Sequence, residues 1–219
     1  GGKPLAAALI GVACGASPIP FNVLPLVIGP ISQETGWDFA QTSAGMTVFG
    51  VIAALTAPLY GGLSDKYGVR PVVLWSLFLF GLLFGGYYFL PSNYPAYLAF
   101  WAVGGLIGIG STPVTWSRAI SMWFSKNRGL ALGIMLLGTS LAAIVVPQIA
   151  QAAVDKGGWR WAFPAVALLP LLVVLPLAMA WFREPRPDQC PAGVIDADGK
   201  IHGLTLRQAA GGYRLWVLL

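Results

Sequence analysis

Two long apolar runs of the chain are joined by the stretch Gly61-Gly-Leu-Ser-Asp-Lys-Tyr-Gly-Val-Arg70. Gly68 permits the tight turn that two antiparallel helices need at this point. Asp65 falls where the first of these runs ends, next to Lys66 and within reach of Arg70. An acidic group at such an edge can pair with a base or with the N-terminus of a neighbouring helix. Two interpretations stay open: a latch that holds one arrangement of the helices, and a solvated turn that carries positive charge.

The chain as a whole is too apolar for a water-soluble domain. Of its 219 residues, 57% are hydrophobic and 10% are charged, and the mean hydropathy is +0.73. Soluble domains carry about 25% charged residues. The net charge of +5 does not indicate a nucleic-acid partner, because the basic residues lie scattered at the ends of apolar runs and form no stripe. We therefore expect a membrane protein whose partner is the lipid bilayer.

Six stretches are long enough to cross about 30 Å of hydrocarbon, which takes roughly 20 residues of helix. They are Pro4–Val27, Phe39–Leu63, Pro71–Leu90, Pro95–Trp123, Gly129–Val154 and Trp161–Phe182. A seventh begins at Leu215 and is cut off at Leu219, so we expect a fragment. The prediction is an all-α membrane protein with a six-span unit over residues 1–182, a linker over 183–214 and the start of a seventh span over 215–219. In the linker, a capping-box pattern from Thr205 to Gln208 allows a short surface helix; a disordered linker is the alternative.

Basic residues near the span ends predict how the helices are oriented. One set of ends carries Lys66, Arg70, Arg118, Lys126, Arg128, Arg183 and Arg186, whereas Lys156 and Arg160 lie near the other set. Cytoplasmic loops are the ones that carry an excess of Lys and Arg. We therefore expect both ends of the six-span unit in the cytoplasm, with the spans in the plasma (inner) membrane.

The stretch Gly61–Arg70 resembles the loop between spans two and three of the major facilitator superfamily, with Val69 where a base is usual. Further matches are Trp123-Phe-Ser-Lys-Asn-Arg128-Gly-Leu-Ala-Leu-Gly133, which is similar to the family's loop 4–5, and Gly158-Trp-Arg-Trp-Ala-Phe163, which is similar to its entry into span six. The resemblance implies two three-helix repeats of inverted topology. It also implies secondary transport of a small solute by alternating access, without a cofactor, in a cavity shared with a C-terminal half that this chain lacks.

Three segments resemble the monocarboxylate and oxalate/formate-type branch of that family. They are Ser17-Pro-Ile-Pro-Phe, Glu34-Thr-Gly-Trp37 and the WFxxxRGxAxG segment that begins at Trp123. This resemblance implies an organic anion, such as a monocarboxylate, as the substrate. Two departures are that span one lacks the basic residue of some members, and that no Arg stands around Ala102–Gly105 early in span four.

Polar side chains within the predicted spans are candidates for a substrate pathway. At about 1.5 Å of rise per residue, five hydroxyls fall near the middle of their spans and two amides lie about 10 Å further outward. They are Ser17, Ser111, Thr112, Thr139 and Ser140, and Asn22 and Gln148. The resemblance places spans one, two, four and five along the cavity. The alternative is that these groups bond to their own helix backbone or have a purely structural role.

Arg118 lies about 13 Å from the midpoint of span four, toward the cytoplasm. It can reach the membrane surface with its long side chain, or it can face the cavity, where it attracts an anionic substrate or pairs with an acid across a cytoplasmic gate. That gate would comprise Gly61, Asp65, Lys66, Gly68 and Arg70, as the resemblance implies.

Several chemistries are disfavoured by the residues of the chain. None of the predicted spans contains Asp, Glu or His, so a proton relay through this half lacks its usual groups. The cysteines Cys14 and Cys190 and the lone His202 form no metal-binding or nucleophile–base pattern, which argues against an enzyme or a metal site. A receptor or scaffold that reuses the same fold is the rival interpretation. Close helix packing is predicted by GxxxG pairs at Gly11/Gly15, Gly81/Gly85, Gly104/Gly108 and Gly129/Gly133.

Overall fold

The computed structural model describes residues 2–124 and 127–183. Within these ranges the chain forms helices and no strand, and six helical spans are long and apolar enough to cross a membrane. The spans are Gly2–Thr35, Phe39–Tyr67, Val69–Phe89, Tyr94–Trp123, Arg128–Gly157 and Trp159–Trp181. The predicted all-α class is confirmed. The predictions for the linker, for its capping box and for the seventh span lie outside the described residues, as do Lys126, Arg186, Cys190 and His202.

Three of the spans are interrupted. Span one consists of α1 (Gly2–Ala13) and α2 (Pro18–Thr35), and span four of α5 (Tyr94–Gly108), a 3-10 turn (Ile109–Ser111) and α6 (Pro113–Trp123). Span six has a 3-10 turn (Trp159–Trp161), α8 (Ala162–Leu168), a π-helical turn (Leu169–Val174) and α9 (Leu175–Trp181). Span two is the single helix α3 (Phe39–Tyr67), and span five is α7 (Arg128–Gly157). Span three is α4 (Val69–Gly86), followed by a 3-10 turn (Tyr87–Phe89).

Local sequence signals fix where span two begins and ends. The Asp38 carboxylate accepts a hydrogen bond from the Gln41 amide at 2.6 Å, and the Gln41 side chain accepts one from the Asp38 amide at 3.1 Å. This reciprocal pair satisfies two N–H groups that the first helical turn leaves without partners. At the other end, Gly68 adopts a φ of +88°, a conformation that glycine reaches without steric cost. The turn at Gly68 is as the sequence predicts, and the capping pair fits the three-residue spacing of Asp38 and Gln41.

The pairing of the spans reveals an internal symmetry. Span one packs along span five, span two along span four, and span three along span six. Exchanging spans one, two and three with spans four, five and six leaves this set of pairs unchanged. Because spans one and four cross in opposite directions, the symmetry is that of two inverted three-helix repeats, the arrangement known for transporters of several families.

Glycines bring the helices into close contact at three of the predicted pairs. Gly11 and Gly15 pack against span four, Gly81 and Gly85 against span six, and Gly104 and Gly108 against Tyr87 and Ala16. At Gly129 and Gly133, by contrast, no described residue comes within 4 Å of the position that a Cβ atom would take. The first three pairs therefore hold the six-helix unit together, and the fourth leaves a smooth surface on α7.

Gly138 and Gly133 of α7 provide a matched test of this packing. A Cβ atom at Gly138 would overlap with the backbone carbonyl of Leu9 in span one, whereas one at Gly133 would meet nothing. We expect Gly138→Ala to destabilise the purified chain by about 1–3 kcal/mol, since overpacking forces the backbone to shift. Gly133→Ala should be neutral or slightly stabilising, because alanine favours the helix by about 0.5–1 kcal/mol. Apparent unfolding temperatures in detergent measure both, and equal effects would contradict the packing described.

Candidate functional site

Spans one and four break at two copies of one tetrapeptide pattern. The first copy is Gly15-Ala-Ser-Pro18 and the second is Gly110-Ser-Thr-Pro113. In each copy the proline is the first residue of the following helix, because it has no N–H to donate to the preceding turn. Thr112 has the extended backbone typical of a residue before proline. The duplication marks both breaks in the sequence, and it is a signal that hydropathy alone does not reveal.

The two breaks are joined by a hydrogen bond between equivalent positions, 95 residues apart. The amide of Ala16 donates to Oγ of Ser111 at 3.1 Å, and the Ser111 hydroxyl donates to the carbonyl of Gly108 at 2.8 Å. Both residues are completely buried. An amide that has left its helical ladder inside a membrane needs such a partner, because no water reaches it there.

The indole of Trp116 closes the far side of this junction. Its Nε1 donates to the carbonyl of Ser111 at 3.2 Å, and its ring lies against Gly11 of span one. The ring centroid is 4.7 Å from that of Phe182, which follows span six. One side chain thus connects spans one, four and six, and it is fully buried.

Several candidate pathway residues bond to their own helices. The Asn22 amide donates to the carbonyl of Pro18, Thr112 to that of Ile109, and Thr139 to that of Leu136, all at 2.7 Å. The Ser111 hydroxyl joins the two breaks as described above. Bonding to the backbone of the same helix is the alternative given above for polar side chains within the spans. A role in a substrate pathway stays a prediction for each of these residues. Ser17 is half-buried in the first break, whereas Ser140 and Gln148 lie on an exposed face of α7.

Arg118 pairs with Asp65 and thereby joins span four to the end of span two. The other terminal nitrogen of the Arg118 guanidinium donates to the carbonyl of Gly61 at 3.4 Å. The Arg118 side chain is 33% exposed and that of Asp65 is 62% exposed, so solvent reaches the pair from the side of the acid. Next to it, Arg70 donates to the carbonyl of Met179 in span six at 2.8 Å. The loop between spans two and three is thus tied to both of the neighbouring helices.

A small cavity of about 90 Å³ lies between spans two and four, beside this ion pair. Its lining includes Arg118 and the hydroxyl-bearing residues Tyr60, Ser64, Thr112 and Thr115. The first turn of α6 also contributes to the cavity through Val114, and helix N-termini carry a partial positive charge. Three of these hydroxyls, those of Tyr60, Thr112 and Thr115, donate to backbone carbonyls. The site therefore combines one cation, a helix N-terminus and the Ser64 hydroxyl, a set that suits a carboxylate.

A second polar cluster, which sequence reasoning did not identify, lies at the opposite end of the helices. Glu34 accepts hydrogen bonds from the indole of Trp159 at 2.9 Å and from the guanidinium of Arg160, which also lies 4.2 Å from the Trp159 ring. It joins the end of span one to the start of span six. The segment from Gly158 to Phe163 contains both donors, but nothing in it specifies an acid more than 120 residues earlier.

The bond between the two breaks can be tested with a pair of serine substitutions. Ser111→Ala leaves the buried Ala16 amide without its partner, which we expect to cost about 1–3 kcal/mol of stability. Ser140→Ala removes a hydroxyl from an exposed face of α7 and should change stability by less than about 0.5 kcal/mol. Apparent unfolding temperatures of the two variants distinguish the positions, and a Ser111→Ala variant as stable as the wild-type chain would contradict this role of the bond.

Comparison with known proteins shows where the chain belongs. Residues 7–206 match the family model of the Major Facilitator Superfamily. Relatives include the Fujikurins efflux protein of Gibberella fujikuroi (31% identical over 64% of this chain and 30% of the relative). The Sialic acid transporter NanX of Escherichia coli is 28% identical over 69% of this chain and 36% of the relative. The uncharacterized MFS-type transporter YvkA of Bacillus subtilis is 26% identical over 97% of this chain and 50% of the relative. The chain thus spans half or less of the length of these relatives.

Proposed function

Because the chain belongs to the Major Facilitator Superfamily, we propose that it supplies one half of a secondary transporter that moves a small organic anion by alternating access. Its relatives are named as transporters, which places it among integral membrane transporters rather than enzymes. That the chain covers half or less of their length supports a second half, with which the substrate cavity would be shared. The exposed face of α7 around Gly129 and Gly133 is smooth enough to receive helices of that half.

The observation that carries the assignment of an anion is the position of Arg118 on the wall of the small cavity. Its guanidinium presents several N–H donors in one plane, which matches the geometry of a carboxylate. Ser64 stands beside it and can offer its hydroxyl to a small polar solute, whereas Tyr60, Thr112 and Thr115 donate theirs to backbone carbonyls. The relative named as a sialic acid transporter is consistent with an acidic substrate.

Asp65 gives this site a second role, that of a gate. The ion pair already satisfies Arg118, so an incoming carboxylate must compete with Asp65 for the same guanidinium. Exchange of one carboxylate for the other would free the loop between spans two and three from span four. Binding of the anion and release of the gate would then be one event, in keeping with alternating access.

Orientation in the membrane follows from the basic residues. Lys66, Arg70, Arg118, Arg128 and Arg183 lie at the end of the helices where the gate stands, and Lys156 and Arg160 lie at the other. We propose that the gate end faces the cytoplasm and that the Glu34 cluster faces outward, across a plasma (inner) membrane.

Three substitutions should separate the binding role of Arg118 from its role in the ion pair. In the complete transporter, Arg118→Gln removes the cation, and we expect about tenfold or greater loss of affinity for a carboxylate substrate. Arg118→Lys should show a smaller loss, because a lysine keeps the charge without the planar donors. Asp65→Asn removes the competing acid, so affinity should stay equal or rise while transport falls. Binding assays and uptake into proteoliposomes measure the two quantities, with Lys156→Gln as a control for loss of a positive charge.

The outcomes distinguish the proposals from one another. Unchanged affinity and unchanged transport in both Arg118 variants would contradict the anion site. Equal losses of affinity in Asp65→Asn and Arg118→Gln would show that Arg118 acts only through the ion pair. Failure of the complete wild-type protein to accumulate any solute against a gradient would favour a receptor or scaffold instead.

A further inference from the structure

An apolar groove of about 390 Å³ runs along the outer surface of spans two and three, on the other side of Tyr60 from the Arg118 cavity. Its walls are formed mainly by Leu63 and Tyr67 of α3 and by Trp75 and Leu79 of α4. All four side chains are exposed, Trp75 to 64%. These four side chains have no part in the function proposed above.

Two of the polar groups that line the groove are already paired. The hydroxyl of Ser76 donates to the carbonyl of Ile107 at 2.6 Å, and that of Tyr60 donates to the same oxygen at 3.2 Å. A hydrocarbon chain can therefore lie in the groove without leaving these hydroxyls unpaired, whereas a polar ligand would find them occupied.

The groove has the depth of one leaflet of a bilayer. From Pro71 at the membrane surface to Leu79, the rise of α4 is about 12 Å, against roughly 15 Å for half of the hydrocarbon core. Near the end of the groove that is closer to the middle of the membrane, Ser76 contacts Gly110 at the break of span four. The space thus extends from the loop between spans two and three toward the middle of the membrane, as a single acyl chain does.

A positive charge stands at the mouth of the groove. The ammonium of Lys66 lies 5.1 Å from the ring centroid of Tyr67, which forms part of the groove wall, and the lysine is exposed. The neighbouring acid, Asp65, is paired with Arg118 and so does not neutralise the lysine. Basic groups at the ends of membrane helices attract anionic lipid headgroups.

We propose that this groove binds one anionic phospholipid, with an acyl chain along Trp75 and Leu79 and the phosphate against Lys66. The charge at the mouth and the depth of one leaflet together specify this occupant. Because Tyr60 lines both the groove and the Arg118 cavity, the bound lipid would rest against the wall of the proposed substrate site. The lipid site itself does not depend on the identity of the substrate.

The test uses the complete protein, reconstituted with equimolar phosphatidylglycerol and phosphatidylethanolamine and released into mild detergent. Native mass spectrometry then counts the lipids of each class that stay bound. We expect the wild-type protein to retain phosphatidylglycerol preferentially, and Lys66→Gln to lower that retention about fivefold, as expected for one basic residue at a membrane surface. Leu79→Trp, which fills the inner part of the groove, should lower it at least as much.

Two variants serve as matched controls. Lys156→Gln removes an exposed lysine at the opposite end of the helices, and Leu82→Trp enlarges an exposed leucine of the same helix beyond the groove. Selective loss of phosphatidylglycerol in Lys66→Gln and Leu79→Trp, with both controls like the wild-type protein, supports the site. Unchanged retention in either groove variant, or equal losses in the controls, overturns it. A wild-type protein that retains no lipid, as expected if another protein segment covers the groove, overturns it as well.

Discussion

The amide of Ala16 needs a hydrogen-bond partner in a place that water cannot reach, and much of the core is arranged to provide one. Span one gives up part of its helical ladder because Pro18 starts a new helix, and the hydroxyl of Ser111 is the group that receives the freed N–H. For this contact the backbones of spans one and four must approach closely, which the absence of side chains at Gly15 and Gly108 permits. Two interrupted helices in hydrocarbon are each unfavourable when alone. When they are placed against each other, the second helix supplies the hydroxyl that the freed amide of the first one needs.

At each of the two ends of the helices, an ion pair joins neighbouring spans. Glu34 with Arg160 joins spans one and six at one end, and Asp65 with Arg118 joins spans two and four at the other. Both pairs are partly exposed, so each contributes modestly to stability. Since each pair connects elements of the same six-helix unit, we expect the unit to move largely as one body against a second half. Under the function proposed above, the Asp65 pair would matter less as a source of stability than as a contact that a competing anion breaks.

Features set by neighbouring residues could be predicted from the sequence, and those set by distant ones could not. The capping pair of Asp38 and Gln41 and the turn at Gly68 depend on a few adjacent residues, so the pattern alone locates them. The end of span one was placed at Val27, but the helix continues to Thr35. Pro25 and Pro30 lie inside this helix, since membrane helices tolerate proline in their interior.

The partners of the charged residues show the same division. Asp65 has bases next to it in the sequence, yet it pairs with Arg118, 53 residues away, because span four packs along span two. The candidate pathway residues were located by depth, which helix rise predicts. Their direction around the helix was not predictable, because apolar surface that faces lipid and apolar surface that faces another helix have the same composition.

The hydrogen bond between the two breaks runs in one direction only. In the second copy of the tetrapeptide, the hydroxyl of Ser111 accepts a hydrogen bond from the backbone of the first copy. The first copy has Ala16 at the equivalent position and therefore has no hydroxyl that could bond to the second copy. The two repeats are therefore similar in shape but no longer interchangeable. A chimera built from two first repeats would lack the hydroxyl that the junction needs, and one built from two second repeats would have a surplus hydroxyl to accommodate in a fully buried space. The two three-helix repeats thus share a symmetric fold but have different roles at the junction, because one has the methyl group of Ala16 where the other has the hydroxymethyl group of Ser111.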